Sequence, residues 1–342
     1  MGLFFTTEPV AQELAGQFHR IVVDNKTGHY NLYGQMWGST TLEPLLAPGP
    51  PYSCYATIKK GGDIPLKIPG DSIVPVVVRG DRSISISWDM GIFTVVETIS
   101  LVIVNSSDSG TVEFVKHDIS IENLGRTDTF EVRILLDIFK KGDEFFITPE
   151  GNFIGTEESF TKNNYPETLY WGTPGESGQY LYLPKDFKTL PERVVLAGWN
   201  RLDSSLWDFP LEKGRVFYSF PDPETDAALA LYFTPGQVKQ GQRTTITYYT
   251  GMSPEFLVPA DVDGVSQDNA EEIRTGSASA QAVPDKYRLF ILETRLAEID
   301  DFLERIEIKI NSGEAISNVE MEQFGMFLET LEDRKKEYEE IR

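Results

Sequence analysis

Asp137 and Asp143 stand six residues apart in "ILLDIFKKGDEF" (134–145), where an apolar, strand-like run gives way to charge. Two carboxylates so placed admit three kinds of chemistry. Held ~5 to 9 Å apart, they act as acid and base on a glycosidic bond. Together with backbone carbonyls they bind Ca²⁺, although the chain has no dense D-x-D-x-D-G loop. In the third reading Asp137 accepts backbone N–H groups in the bend after the strand and so fixes the "KKGD" loop. Of the three, the structural role is the one expected, which makes the stretch a hinge.

Aromatic residues form a second candidate site. Tyr165, Tyr170-Trp171, Trp199 and Trp207 fall in loop-like sequence together with Asp203 and Asp208. Aromatic faces stack on sugar rings while carboxylates and amides bond their hydroxyls. Tryptophan in a large sandwich also caps the core, with its N–H finding a polar partner. The candidate ligand-binding set is therefore Asp137, Asp143, Trp171, Trp199 and Trp207. No catalytic residue is assigned.

The chain of 342 residues carries a formal charge of −22, which argues against nucleic-acid or anionic-membrane partners. Cys54 is the single cysteine, so intramolecular disulfides and cysteine-rich zinc sites are excluded. It stands in "PYSCYATI", with no basic residue until Lys59, and reads as a buried or half-buried small residue. With His19, His29 and His117 as its three histidines, the chain is expected to hold neither a metal nor a cofactor. No stretch approaches the ~18 apolar residues of a membrane span. The start, "MGLFFTTEPVAQELAG", lacks a basic region and is not expected to be an intact signal peptide. The expected location is periplasmic or otherwise extracytoplasmic if this is a mature chain, with the cytoplasm as the alternative.

From about residue 18 to 253 the chain reads almost entirely as β. "FTVVETISLVIV" (93–104), "TVEFVKHDISIENL" (111–124) and "TFEVRILLDIF" (129–139) are β-branched and aromatic runs divided by polar turns. "RVVLAGW" (193–199), "RVFYSF" (215–220), "AALALYF" (227–233) and "RTTITYYTG" (243–251) follow. Strands this numerous, without intervening helical periodicity, imply a large antiparallel sandwich over residues 1–255. Its length requires one large sandwich or two small ones.

Residues 256–284 are polar and small, and read as a flexible linker. Beyond them the period changes. Leu289, Leu292, Leu296, Ile299, Leu303, Ile306 and Ile310 recur at alternating spacings of 3 and 4, a heptad seam. Gly313 breaks the helix, and Ser317 with Glu320 makes a capping box for a second helix. Its seam runs through Met321, Phe324, Leu328, Leu331 and Tyr338. Residues 285–342 thus read as a coiled-coil-like antiparallel αα-hairpin with 9 basic and 16 acidic residues, a net of −7. Either it docks on its own sandwich or a partner or second copy covers its free face. Leu292, Leu296, Leu303, Phe324 and Leu328 are its candidate partner-binding residues. An acidic polar face has the wrong sign for membrane insertion.

The β region resembles a group of uncharacterised bacterial domains, often of the cell envelope. The residues that carry the likeness are "DNKTGHYNLYGQ" (24–35), "PLLAPGPPYSCYATIK" (44–59), "HDISIENLGRTDTFEVRILLDIFKKGDEF" (117–145), "VVLAGWNRLDSSLWDFP" (194–210) and "TDAALALYFTPGQVKQGQRTTITYYTGMS" (225–253). The resemblance implies a β-supersandwich similar to that of galactose mutarotases over about residues 10–253. That fold hosts epimerases, lyases, accessory domains and scaffolds, so it does not fix a function. Mutarotase chemistry needs a histidine acid, a carboxylate base and a sugar-positioning Arg or His. No two histidines here lie in such a motif. The expectation is a mainly β protein, a large antiparallel β-supersandwich followed by a C-terminal antiparallel helical hairpin. It is expected to serve as a non-enzymatic envelope binding or scaffold protein that associates through the hairpin. The alternative is a carbohydrate-binding or carbohydrate-active protein using the concave face of the sandwich.

Overall fold

The computed structural model describes residues 11–35, 41–49, 53–70, 73–106, 110–139, 145–149, 152–171, 178–185, 189–219 and 222–253. Asp143, the linker and the helical hairpin with its partner-binding leucines lie outside the described residues. The described chain is mainly β, in a sandwich-like stack of antiparallel sheets.

Strands β1 (Ala11–Ala15), β2 (His19–Asp24), β3 (Tyr30–Gln35) and β4 (Leu42–Pro44) make a four-stranded sheet in that order. The chain then alternates between two larger sheets. β5 (Tyr55–Lys60) and β6 (Leu66–Ile68) begin the six-stranded sheet. β7 (Val76–Arg79), β8 (Ser83–Asp89), β9 (Phe93–Ser106) and β10 (Gly110–Asn123) form a meander in the nine-stranded sheet. β11 (Asp128–Asp137) returns to the six-stranded sheet. β12 (Phe146–Ile147) and β13 (Phe153–Ile154) join the nine-stranded sheet, and β14 (Glu158–Thr161) the six-stranded one. β15 (Thr168–Trp171) and β16 (Gly178–Tyr182) lie in the nine-stranded sheet. β17 (Pro191–Gly198) crosses back and runs directly into helix α1 (Trp199–Ser204). A two-stranded ribbon of β18 (Tyr218–Ser219) and β19 (Asp222–Thr225) follows. β20 (Ala227–Val238) completes the six-stranded sheet, and β21 (Arg243–Ser253) the nine-stranded one.

Alternation decides what faces the interior. In β8 the inward Ile84, Ile86 and Trp88 are buried while Ser85 and Ser87 look outward. β9 sends Val95, Ile99 and Leu101 inward, and β10 sends Val115, Ile119 and Ile121. Residues from all three large sheets meet in this main core, including Leu14, Ile21 and Leu32 of the four-stranded sheet. Two smaller apolar clusters lie elsewhere. One sits on the face of the six-stranded sheet turned away from the main core, around Leu135, Val195, Ala228 and Leu202. The other gathers Phe114, Tyr170, Tyr180, Tyr182 and Tyr249 of the nine-stranded sheet.

Two readings of the sequence need correction. Trp199 opens a helix rather than ending a strand, because six helical residues are too few for a 3.6-residue period to register. "RVFYSF" is not a continuous strand: it holds an isolated bridge between Val216 and Thr156 and the two residues of β18.

The turn between β2 and β3 shows how local chemistry fixes register. The Asp24 carboxylate accepts the Lys26 and Thr27 N–H groups at 2.7 and 2.9 Å. Gly28, at φ +75°, then donates its N–H to the Asp24 carbonyl at 2.8 Å. A Cβ on Gly28 would come within 2.9 Å of the Trp88 ring. Gly28→Ala therefore combines left-handed backbone strain with overpacking of Trp88. We expect it to lower unfolding free energy by about 2–4 kcal/mol, read from urea denaturation of the two proteins.

Candidate functional site

β11 divides its side chains between the two faces of the six-stranded sheet. Val132, Ile134 and Leu136 enter the main core, whereas Leu135 joins the separate cluster on the other face. Arg133 and Asp137 alternate onto the same outer face as Leu135. Arg133 is paired in register with Tyr232 and Thr57, Leu135 with Ala230 and Tyr55, and Asp137 with Ala228. Ala197, Ala228 and Ala230 keep this face shallow, so α1 and the segment after it can lie close. Leu202 and Phe209 of that segment are buried against it.

Polar contacts hold the cover down. Arg133 is fully buried, and its guanidinium donates to the carbonyls of Leu202 at 2.7 Å and Leu206 at 3.4 Å. The Leu202 carbonyl also accepts the Ser205 N–H at 3.3 Å, the bond that closes α1, and Leu206 lies in the segment after the helix. Arg133 also lies 5.7 Å from the centre of the Tyr232 ring. Arg193 donates to the Phe209 carbonyl at 3.4 Å. Arg201 donates to the buried Glu157 carboxylate at 2.5 and 3.2 Å and to the Pro210 carbonyl at 2.8 Å. Glu157 also accepts the Glu212 N–H at 2.8 Å. Tyr55 donates its hydroxyl to Asp203 at 2.9 Å.

The candidate aromatic residues do not share one surface. Trp171 is 1% exposed, in the main core on β15, because strand alternation turns it inward while Tyr170 faces the other way. The sequence reading put it in a loop, where it is not; buried there, it offers no stacking face to a ligand. Tyr165 is also in the main core. Trp199 is half-buried and donates its indole N–H to the Ser53 carbonyl at 3.2 Å. Trp207 is half-buried too, edge-on to Tyr232 at 5.9 Å and under the Lys59 ammonium at 5.3 Å. Trp199 and Trp207 thus lie on the outer face as parts of its cover.

Asp137 ends β11 where the chain turns away. Its carbonyl accepts the Ala47 N–H at 3.0 Å, and its N–H points to the Cys54 sulfur at 3.3 Å. Ile138 then bridges Leu46. The "KKGD" loop that the carboxylate was expected to fix lies outside the described residues. Only 5% of Asp137 is exposed, one carboxylate oxygen has no partner among the described residues, and the carboxylate interacts with the Ser53 hydroxyl. Burial raises its pKa to about 7 against the lowering effect of Ser53, and the charges of Asp226 and Asp203 add to the rise. Burial likewise pushes the Cys54 thiol well above its ordinary range, so it is no nucleophile at neutral pH.

The interior holds ionisable groups that sequence reasoning treated singly or missed. Glu97 occupies an inward position of β9 and lies 3.4 Å from His117 Nδ1. Its signal in the sequence was a charge on the apolar side of an alternating strand. His117 Nε2 meets the Thr250 hydroxyl at 3.1 Å, and its ring stacks on Tyr248 at 4.4 Å. Glu97, Tyr30, Cys54 and Tyr248 help to line a cavity of about 10 Å³, room for one water and not for a sugar. His19 is tied elsewhere: its Nε2 accepts the Met252 N–H at 3.1 Å and its Nδ1 lies 3.4 Å from Glu113. Among the described residues no group of three His, Cys, Asp or Glu side chains is placed to hold a metal ion. Among them also, no helix is long and apolar enough to cross a membrane.

No protein-family model matches the chain, and no curated protein matches it. Among solved structures it is similar to a TPR-domain-containing protein from Parabacteroides distasonis, at 12% identity and a TM-score of 0.42. That match covers 74% of this chain and 48% of the other. It is also similar to the 4-alpha-glucanotransferase of Thermococcus litoralis, at 9% identity and a TM-score of 0.27, over 70% of this chain and 37% of the enzyme. The chain thus spans less than half the length of either.

The raised pKa of Asp137 has a definite consequence for stability. The folded protein binds this proton up to about pH 7, whereas the unfolded chain releases it near 4. The stabilising contribution is therefore complete below the unfolded value and is lost as pH rises through about 7. The slope is at most roughly 1.4 kcal/mol per pH unit. Asp137→Asn is expected to flatten this fall and to exceed the parent in stability above pH 7, measured by urea denaturation from pH 4 to 8.

Proposed function

We propose that this chain is a non-enzymatic binding or scaffold protein of the bacterial cell envelope, with a C-terminal helical hairpin as its assembly element. The observation that carries this reading is the cover over the outer face of the six-stranded sheet. Asp137, Trp199 and Trp207 sit on that face, and the chain's own residues 199–211 fill it with Leu202 and Phe209. Arg133 and the Arg201–Glu157 pair anchor the filling. Catalysis on a sugar needs an open cleft with two groups converging on one bond. In this reading the sandwich is a supersandwich of the galactose-mutarotase kind used as a rigid platform. The regular leucine and isoleucine seam of residues 289–310 gives the platform its means of association.

A carbohydrate-binding role is the second reading, favoured by one feature. The unpartnered Asp137 oxygen lies beside Ser53, whose carbonyl anchors Trp199, so a carboxylate and an aromatic ring occupy the same rim. A glycan array followed by thermal shift separates the two. The scaffold reading expects no saturable glycan binding. Saturable binding lost in Trp199→Ala or Trp207→Ala would support the sugar reading instead.

Association is tested on the full chain by multi-angle light scattering. Leu296→Asp or Leu303→Asp is expected to abolish self-association or partner capture through residues 285–342, because an unpaired charge in an apolar seam costs several kcal/mol. The β region should keep its melting temperature in both variants. A chain that is strictly monomeric at high concentration and captures nothing through residues 285–342 contradicts the proposal.

A further inference from the structure

The outer face of the nine-stranded sheet is polar across its centre. Ser85 bonds Thr98 at 3.0 Å, Ser120 bonds Thr245 at 2.8 Å, and Thr247 bonds Asp118 at 2.6 Å. At the β7 edge this character ends. Val74, Val76 and Val78 are 83%, 64% and 59% exposed, while Val77 turns inward against the core. The Gly80 N–H reaches Ser83 at 2.7 Å, across the turn to β8. Alternate residues of an antiparallel strand direct their main-chain groups to the same side. Val76 and Val78 therefore bond β8, and the N–H and C=O groups of Val77 and Arg79 point out of the sheet with the Pro75 carbonyl.

Unpaired edges invite added strands, and most are blunted. At the other end of this sheet β13 is two residues long. β6 lies between Pro65 and Pro69, and β14 opens with a glutamate. β7 has Pro75 at its entrance and a single charge, Arg79, at its end, with three valines between them.

We propose that β7 is a docking edge for a second copy of this chain, the two edges pairing antiparallel about a two-fold axis at Val77. In that register Val77 N–H donates to the Val77 carbonyl of the second copy, and Arg79 N–H to its Pro75 carbonyl, each twice by symmetry. Pro75 has no N–H, so no edge donor is left unmatched. The exposed valines of both copies form one apolar strip. Charge selects both the occupant and the register. Residues 73–80 carry Arg79 as their one charged residue, a net of +1 within a chain of −22. Two copies can therefore approach here without the repulsion that opposes contact between acidic surfaces. Pairing about Val77 sets the two Arg79 residues roughly 13 Å apart along the strands, beyond the Debye length of about 8 Å. Pairing about Val78 would bring them to roughly 7 Å along the strands, within that length. The contact is smaller than the ~1,200 Å² of a standard interface, so the association is weak and reversible.

The test is amide hydrogen exchange of the full chain, followed by mass spectrometry on peptides covering 74–80, at low and at high micromolar protein. Exchange at Val77 and Arg79 should slow by about fivefold or more with concentration. That change should vanish in Val78→Lys and in Val76→Lys, two exposed positions where lysine leaves the fold intact. It should persist in Leu296→Asp, which separates this edge from association through residues 285–342. Slow exchange at every concentration means that the chain's own residues cover the edge. Fast exchange at every concentration means that it stays open. A change lost in Leu296→Asp makes the contact secondary to the hairpin. Each of these three results overturns the proposal.

Discussion

A guanidinium held in an apolar face has to be met by acceptors, and Arg133 meets main-chain carbonyls. Among the described residues no carboxylate lies within ion-pair distance of it; Leu202 and Leu206 supply the oxygens, and Tyr232 a ring face. A buried charge is tolerated only with such compensation. One side chain from the middle of β11 therefore ties down both α1, at Leu202, and the chain beyond it, at Leu206. The alanines of β17 and β20 make the approach close enough, and Glu157 holds the far end through Arg201. With this segment seated, the outer face of the six-stranded sheet becomes a second small core.

The buried carboxylates show what position does to one chemical group. Glu113 is almost fully buried, yet it accepts the N–H groups of Gln17, Phe18 and His19 at 3.0–3.1 Å. Burial opposes its charge, but the His19 contact and the backbone N–H groups outweigh it and hold its pKa down to about 2. Asp137, buried with a single hydroxyl, moves the other way to about 7. Glu113 stabilises the fold while it stays ionised, pinning the bend between β1 and β2 onto the end of β10. Asp137 stabilises it while protonated. The difference lies in the number of donors that each backbone path delivers, not in depth.

The long strands were legible because β-branched alternation and polar turns coincide there, as in 93–104 and 111–124. Asp137 was legible as a break in an apolar run, and its place on the Leu135 face followed from alternation alone. The division into three sheets was not legible, since strand pairing is non-local and one large sandwich or two small ones fit the same pattern. Helix α1 was hidden by its six residues. Trp171 had the sequence company of a loop and the environment of a core, because Tyr170 and Trp171 straddle the sheet. Arg133 gave no signal at all: an arginine in a strand reads as solvent-facing until a distant segment is seen to cover it.

Arg133 keeps residues 199–211 seated on the six-stranded sheet. Native-state hydrogen exchange of Arg133→Met against the parent tests it most directly, because methionine keeps much of the volume and removes the donors. Exchange across 199–211 is expected to be at least about tenfold faster, equivalent to about 1.4 kcal/mol of local opening, with β9, β10 and β20 unchanged. Unchanged protection of 199–211 in the variant would contradict it.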